Sequence, residues 1–210
     1  MQKNHNTQLY QTWNERWKGS EESEQLTHMG RIMFGAKKKA LKDLIKYLSI
    51  ESVIEVGCGL GHTMSVYEAL NLDCIGIDVS SHAVANCKSK GLNAILQKIE
   101  DVSVSYDLVS SDGMLEHFLN FEPYARHLMR ISRRYVILIQ PNHVSFFGKT
   151  LAYLAELIRS DKNVFEYNYR IKDFISIFQE NGFMIIKNQP VFLDVFRLLL
   201  FEKGPCRQLS

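Results

Sequence analysis

The sequence predicts an α/β fold: a doubly wound, mostly parallel seven-stranded sheet with helices on both faces and an antiparallel C-terminal edge hairpin. Three observations predict it. Short apolar runs alternate with helix-like segments between residues 52 and 140. A loop with glycine at every second position, Gly57-Cys58-Gly59-Leu60-Gly61, joins the first run to the first of those helices. Strict alternation then stops, and two apolar runs flanking a turn close the chain.

Composition sets the outer bounds. The chain has 210 residues, 46% of them hydrophobic and 23% charged, which suits one globular domain with a sizeable core. A net charge of +2 argues against bulk electrostatic attraction to nucleic acid. Cys58, Cys74, Cys87 and Cys206 form no C-x-x-C pair and read as buried free thiols, with no metal site implied. No apolar run approaches the ~18 residues that span a bilayer. The polar start, Met1 to Asn6, lacks a signal-peptide core, so a cytoplasmic location is expected.

Residues 1–30 read as an N-terminal helical lid or cover segment, and residues 31–210 as the main domain. Tyr10, Trp13 and Trp17 are spaced by three and four, so they share one helical face. They either pack the segment onto the domain or close over a ligand. The run from Ser20 to Glu24 reads as a solvated loop or helix start. From Arg31 to Leu48, Phe34, Leu41, Leu44, Ile45 and Leu48 mark an amphipathic helix. Lys37, Lys38, Lys39, Lys42 and Lys46 are assigned to its wet face.

The first strand, Ser52 to Val56, enters the glycine loop, and a helix from Thr63 to Leu70 follows. Asp73 to Val79 is a second strand ending in an acid. Ser80 or Ser81 caps a helix that Gly91 closes. Asn93 to Gln97 and Tyr106 to Ser111 are the third and fourth strands. Glu122 to Ile131 is helical with Pro123 in its first turn. Arg134 to Gln140 is apolar enough for a central strand buried on both faces. Val144 to Arg159 reads as a helix broken at residues 160–163. Ile171 to Asn181 is another helix. Phe183 to Lys187 and Val195 to Phe201 are the closing strands, with the turn placed at Asn188-Gln189-Pro190. The tail from Gly204 is expected to fray.

In such sheets ligands bind beyond the carboxyl ends of the strands. The glycine loop, Asp78, Glu100-Asp101, Ser111-Asp112 and Pro141-Asn142-His143 all follow strand ends, so they should share one rim. Glycines that admit positive φ, followed by a helix N-terminus, suit a nucleotide-like cofactor. A nicotinamide site requires G-x-G-x-x-G with an acid about 20 residues on. Here His62 stands where the third glycine belongs, and Gly61 makes the pattern G-x-G-x-G.

From Val53 to Pro141 the chain resembles the S-adenosylmethionine-dependent methyltransferases of Rossmann-like, class I fold, in their small-molecule, type 11-like branch. Glu55-Val56-Gly57-Cys58-Gly59-Leu60-Gly61 is similar to the first motif of that family. Ile77-Asp78-Val79-Ser80 is similar to its ribose-binding strand end. Tyr106-Asp107-Leu108-Val109 with Met114-Leu115-Glu116-His117 is similar to its fourth-strand motif, and Ile137 to Asn142 to its fifth-strand ending. The resemblance implies S-adenosyl-L-methionine as cofactor. It implies that Glu55, Gly57, Cys58, Gly59 and Gly61 hold the methionine end and Asp78 with Val79 the ribose. Glu100-Asp101 would reach the adenine or remain a solvated pair. Ser111 and Asp112 would line the reaction centre, although Asp112 also suits a turn.

Methyl transfer needs alignment, and a general base only where the acceptor must lose a proton. His117 and His143 are the candidate bases, each with an ordinary structural role as the alternative. His62 reads as packing beside the loop. Residues 144–169 read as a substrate-covering insertion. Its Phe146, Phe147, Leu151, Leu154 and Ile158, with Phe165, Tyr167 and Tyr169, either cover the sheet or favour an aromatic or lipophilic acceptor. The expected function is methylation of an O, N or C nucleophile of a small molecule. A non-catalytic cofactor-binding module is the alternative. An RNA methyltransferase is disfavoured, because Ser111-Asp112-Gly113-Met114 stands where base-flipping amino-methylating enzymes carry Asn/Asp-Pro-Pro-aromatic. Arg126, Arg130, Arg133 and Arg134 read as a solvated face.

Overall fold

The computed structural model describes residues 2–19, 28–150 and 166–205. Helices α1 (Gln2–Gly19) and α2 (His28–Ile45) precede strand β1 (Ser52–Val56). Then follow α3 (Met64–Glu68), β2 (Asp73–Asp78), α4 (Ser81–Ser89), β3 (Ala94–Leu96), β4 (Tyr106–Asp112), α5 (Glu122–Arg130) and β5 (Ser132–Pro141). Helix α6 (Ile171–Glu180) leads to β6 (Phe183–Val191) and β7 (Phe196–Lys203).

The seven strands lie in the order β3-β2-β1-β4-β5-β7-β6. The first five are parallel, and β7 runs antiparallel to both β5 and β6. The order reverses between β1 and β4, which places the crevice for a ligand above their carboxyl ends. Alternate residues of β5 enter opposite cores, because a central strand has no solvent face. Val136 and Leu138 pack with α5 and α6, including Leu128, Phe174 and Phe178. Ile137 and Ile139 pack with α2 and α3, including Leu41 and Tyr67. Phe178 stacks on Phe201 at 4.2 Å between ring centroids, joining α6 to β7. A smaller core of Met64, Val84, Cys87 and Leu92 seats α4.

The closing hairpin corrects the expected turn. Asn188, Gln189 and Pro190 continue β6, where Pro190 pairs with Arg197. Because β6 is the edge strand, the missing N–H of Pro190 is tolerated there. The reversal falls at Phe192, Leu193 and Asp194, with φ of 47°, 53° and 65°. Phe192 and Leu193 rarely adopt that region, so their identity did not signal the turn, although Asp194 is of a type that favours it. The predicted helix at Val144 to Arg159 is seen at residues 146–150, where Phe146 and Phe147 are exposed. Its remainder, the acidic run at residues 20–24 and the tail from residue 206 lie outside the described residues.

Candidate active site

The rim above β1 and β2 is built from backbone. Gly57, Gly59 and Gly61 have φ of +72°, +49° and +78°, the region that favours glycine. The N–H groups of Gly57 and Cys58 both donate to Ile77 O, at 2.9 and 3.1 Å, tying the loop to the end of β2. A β-carbon on Gly61 would strike Leu92 and come within 2.9 Å of Cys87 Sγ. The Cys87 thiol donates to Gly59 O at 3.2 Å. Cys58, Cys74 and Cys87 are free thiols.

Asp78 holds this loop against α4. Its Oδ2 accepts from Gly59 N–H at 2.9 Å and its Oδ1 from Ser80 N–H at 2.8 Å. Each oxygen retains a lone pair. Burial raises the Asp78 carboxyl above its ordinary range, opposed by the backbone donors. Ser80 in turn caps α4, its Oγ accepting from Ala83 N–H at 3.2 Å. Val79 beside it is half-buried.

A second group of residues gathers at the ends of β1 and β4. Glu55 is buried, and its Oε2 has no hydrogen-bond partner. Burial pushes its carboxyl up to about 8. Asp112 is reached by Lys37 of α2, with Nζ 2.7 Å from Oδ1 and both side chains largely buried. Thr63 Oγ1 lies 3.5 Å from Asp112 Oδ2. Ser111 donates its hydroxyl to Val56 O at 2.9 Å, joining β4 to the start of the glycine loop. Lys37 therefore corrects its assignment to the wet face. It sits over the Phe196 ring, 3.9 Å from the centroid, and its charge faces inward.

The raised Glu55 carboxyl makes a prediction. The folded chain keeps a proton that the unfolded chain releases between its ordinary value of 4.5 and about 8. Stability should therefore fall as pH rises through that window. Glu55→Gln should flatten the slope and leave the variant more stable than wild type near pH 8. Thermal unfolding across a pH series checks this; parallel curves for the two proteins would show that Glu55 is not the group responsible.

The turn after β4 carries Glu116 and His117, both buried. Burial pushes the Glu116 carboxyl up to about 8. His117 Nε2 lies 3.9 Å from Glu116 Oε1. His143 follows β5, with Nε2 3.7 Å from Glu166 Oε2. The backbone N–H of Tyr167 donates to Glu116 O at 2.8 Å, so the chain before α6 lies against this turn. Glu100 and Asp101 occupy a short 3-10 turn after β3 and are exposed. His62 packs edge-on against Phe34 at 4.8 Å, and burial with nearby lysines lowers it to about 4.

Helix α1 lies across this rim. Trp17 covers Gly59, its ring 3.1 Å from where a β-carbon would sit. Trp13 stacks on Trp17 at 5.8 Å and meets His117 edge-on at 4.7 Å. Asn14 Oδ1 accepts from Ser80 Oγ at 3.0 Å and Ser81 Oγ at 3.1 Å. Leu9 and Tyr10 pack against the α5–α6 core. The aromatic face read from the spacing is thus the face turned to the rim. Lys37 and Glu116 are among the rim residues to which the sequence alone assigned no site role. The available signal for Lys37 was its place one turn before Leu41 and three residues after Phe34, on the apolar stripe itself.

A glycine cradle, a buried acid with an orphaned oxygen two residues before it, and an acid at the next strand end fit an amino-acid-bearing nucleoside. With the strand order above, they define a class I S-adenosylmethionine-dependent methyltransferase. The methyltransferase-domain family model matches residues 29–188, and the chain belongs to that family. No curated protein sequence matches it. Solved structures share the fold at low identity. The magnesium protoporphyrin IX methyltransferase of Synechocystis PCC 6803, with bound S-adenosylhomocysteine, is 17% identical. That match covers 97% of this chain and 98% of that one, with a TM-score of 0.68. A Thermotoga maritima protein described as a SAM-dependent methyltransferase, possible histamine N-methyltransferase, is 16% identical over 92% of this chain and 100% of that one, with a TM-score of 0.71. The plantazolicin methyltransferase in complex with S-adenosylhomocysteine is 13% identical over 97% and 98%, with a TM-score of 0.65. The cofactor is S-adenosylmethionine, and the chain is an enzyme of the methyltransferase class. Among the described residues no helix is long and apolar enough to cross a membrane.

Proposed function

We propose that this enzyme methylates an O, N or C nucleophile of a small molecule, with α1 as a lid over the cofactor. The observation that carries this reading is the meeting of Glu55, Asp78, Asp112 and the glycine loop on one rim beneath Trp17. S-adenosylmethionine supplies a methyl carbon activated by its sulfonium. The remaining task for the protein is alignment and exclusion of water. In this reading Asp78 receives the ribose hydroxyls, and Glu55 with the loop N–H groups receives the amino-acid end. Lys37 holds Asp112 in place through their 2.7 Å contact. Glu100 and Asp101 stand at the adenine end, where Tyr10 of α1 approaches Glu100. His117 and His143 flank the acceptor and serve as base where one is needed. The relatives act on a porphyrin, on an amine by description, and on plantazolicin, which supports a small-molecule acceptor. Trp13 and Trp17 offer an aromatic wall to it.

The chain has two tryptophans, both in α1, so their fluorescence reports the lid directly. S-adenosylhomocysteine should change the emission saturably in the micromolar range, and nicotinamide dinucleotide should not. Transfer of a labelled methyl group to a metabolite extract would then separate an enzyme acting on small molecules from a binding module. Emission that is unchanged while calorimetry detects binding would remove α1 from the site.

A further inference from the structure

Three polar side chains lie beneath the rim, on the face of the sheet that α2 and α3 cover. Glu55 of β1 stands directly opposite Ser110 of β4 in the parallel register. Both alternate with residues of the apolar core on that face, Val53 and Leu108, and Tyr67 of α3 packs into the same core. Glu55 and Ser110 are each 1% exposed and Tyr67 0%. Among the described residues, none of Glu55 Oε2, Ser110 Oγ and Tyr67 OH has a hydrogen-bond partner. One orphan of this kind is costly, and three together in an apolar core call for a common cause. Ser110 acts on both of the others: its hydroxyl favours the charged form of the Glu55 carboxyl and of the Tyr67 phenol. On β1, Glu55 is the last side chain that faces this way before the loop, because Gly57, two residues on, has none.

We propose that Ser110 and Tyr67 are positioning residues for Glu55, a relay of hydroxyls that closes when Glu55 ionises to receive the cofactor's ammonium. This rests on the S-adenosylmethionine site proposed above and adds the groups that support its acid. A hydroxyl suits the task because it both donates and accepts, and changes over by turning about one bond. With Glu55 ionised, Tyr67 donates to Ser110 Oγ and Ser110 donates to Oε2, so every hydrogen of the relay is used. With Glu55 protonated the direction reverses, and the Tyr67 hydrogen is left without an acceptor. The relay thus favours the carboxylate, against the burial that opposes it. The proton that leaves Glu55 goes to solvent, and the ammonium supplies the positive charge in its place. Asp112 of β4 and Lys37 of α2 also face Glu55 and act on it in opposite senses, and they are paired with each other. Cys58 of the loop and Cys74 of β2 feel its charge as well. Both thiols are pushed up, Cys58 by its contact with Cys87 and Cys74 by burial, so neither titrates near neutrality.

The test is the pH dependence of S-adenosylhomocysteine affinity, read by calorimetry on the whole chain from about pH 6 to about pH 7.5, where an α-amino group is still mostly charged. Glu55 must release its proton for the ligand to bind, so wild-type affinity should rise about threefold or more per pH unit, and Glu55→Gln should flatten the rise. Ser110→Ala should weaken binding near neutrality by at least about tenfold, the lower end for a hydrogen bond to a charged group. Tyr67→Phe, which keeps the ring and its packing, should weaken it about threefold. In the Glu55→Gln background each substitution should change affinity by less than about twofold, because the charge that the relay serves is gone. A merely structural role for the two hydroxyls would give equal losses in both backgrounds, and that result overturns the proposal. So does wild-type binding that does not vary with pH, which leaves the cofactor site standing. A wild-type chain that does not bind S-adenosylhomocysteine at all overturns the cofactor site, and the relay with it.

Discussion

Replacing Asp78 with alanine is expected to weaken S-adenosylhomocysteine binding by at least about 100-fold, or about 2.7 kcal/mol. Two losses combine. The carboxylate that offers lone pairs to the ribose disappears. The N–H groups of Gly59 and Ser80, now 2.9 and 2.8 Å from its oxygens, also lose their acceptor. An unsatisfied buried N–H costs about 1–3 kcal/mol, so the loop should relax away from α4. That second loss should appear without any ligand, as a fall in the free energy of urea unfolding. Asp78→Asn separates the two effects. Its amide oxygen can still accept from one N–H, whereas its NH2 group faces the other donor. The asparagine variant should therefore recover part of the stability and little of the binding. Calorimetry on both variants reads the affinities directly. Affinities within threefold of wild type would remove Asp78 from the cofactor site and leave it a purely structural link.

What could be read from sequence follows how local its cause is. The positions of the glycine loop and Asp78 on the rim were legible because a short pattern marks them: glycines at positive φ, then an acid at the end of the next strand. The sheet was legible because alternating apolar runs and helices admit few topologies. Lys37 was misread because it stands in a run of lysines, and side-chain type outweighed helical position. Its partner, Asp112, lies 75 residues away, a separation that no window along the chain can span. Pro190 was misread for a related reason. Proline marks a turn locally, but at an edge strand it is tolerated, and edge position is a property of the whole sheet. The aromatic face of α1 was visible in its spacing. What it faces depends on a helix crossing the strand ends, which spacing does not specify. Glu116 carried no local signal beyond an acid set among apolar residues.

Lys37→Met is expected to cost about 3–5 kcal/mol of stability, the range for breaking a buried ion pair from one side. Methionine keeps an unbranched side chain against the Phe196 ring, where Nζ now lies 3.9 Å from the centroid. The contact is thereby largely conserved and the charge is not. Asp112 would then sit mostly buried, with the 3.5 Å approach of Thr63 Oγ1 left to offset it among the described residues. The double variant Lys37→Met/Asp112→Asn should recover most of the loss, because it is the unpaired charge, and not the absent pair, that destabilises. Urea unfolding of the two single variants and the double completes the cycle. Single losses that simply add would mean that the two groups are uncoupled and that α2 is held by its apolar stripe alone. Recovery in the double would give Lys37 a defined place: a largely buried cation that pairs with the acid at the end of β4 and fixes α2 against the rim.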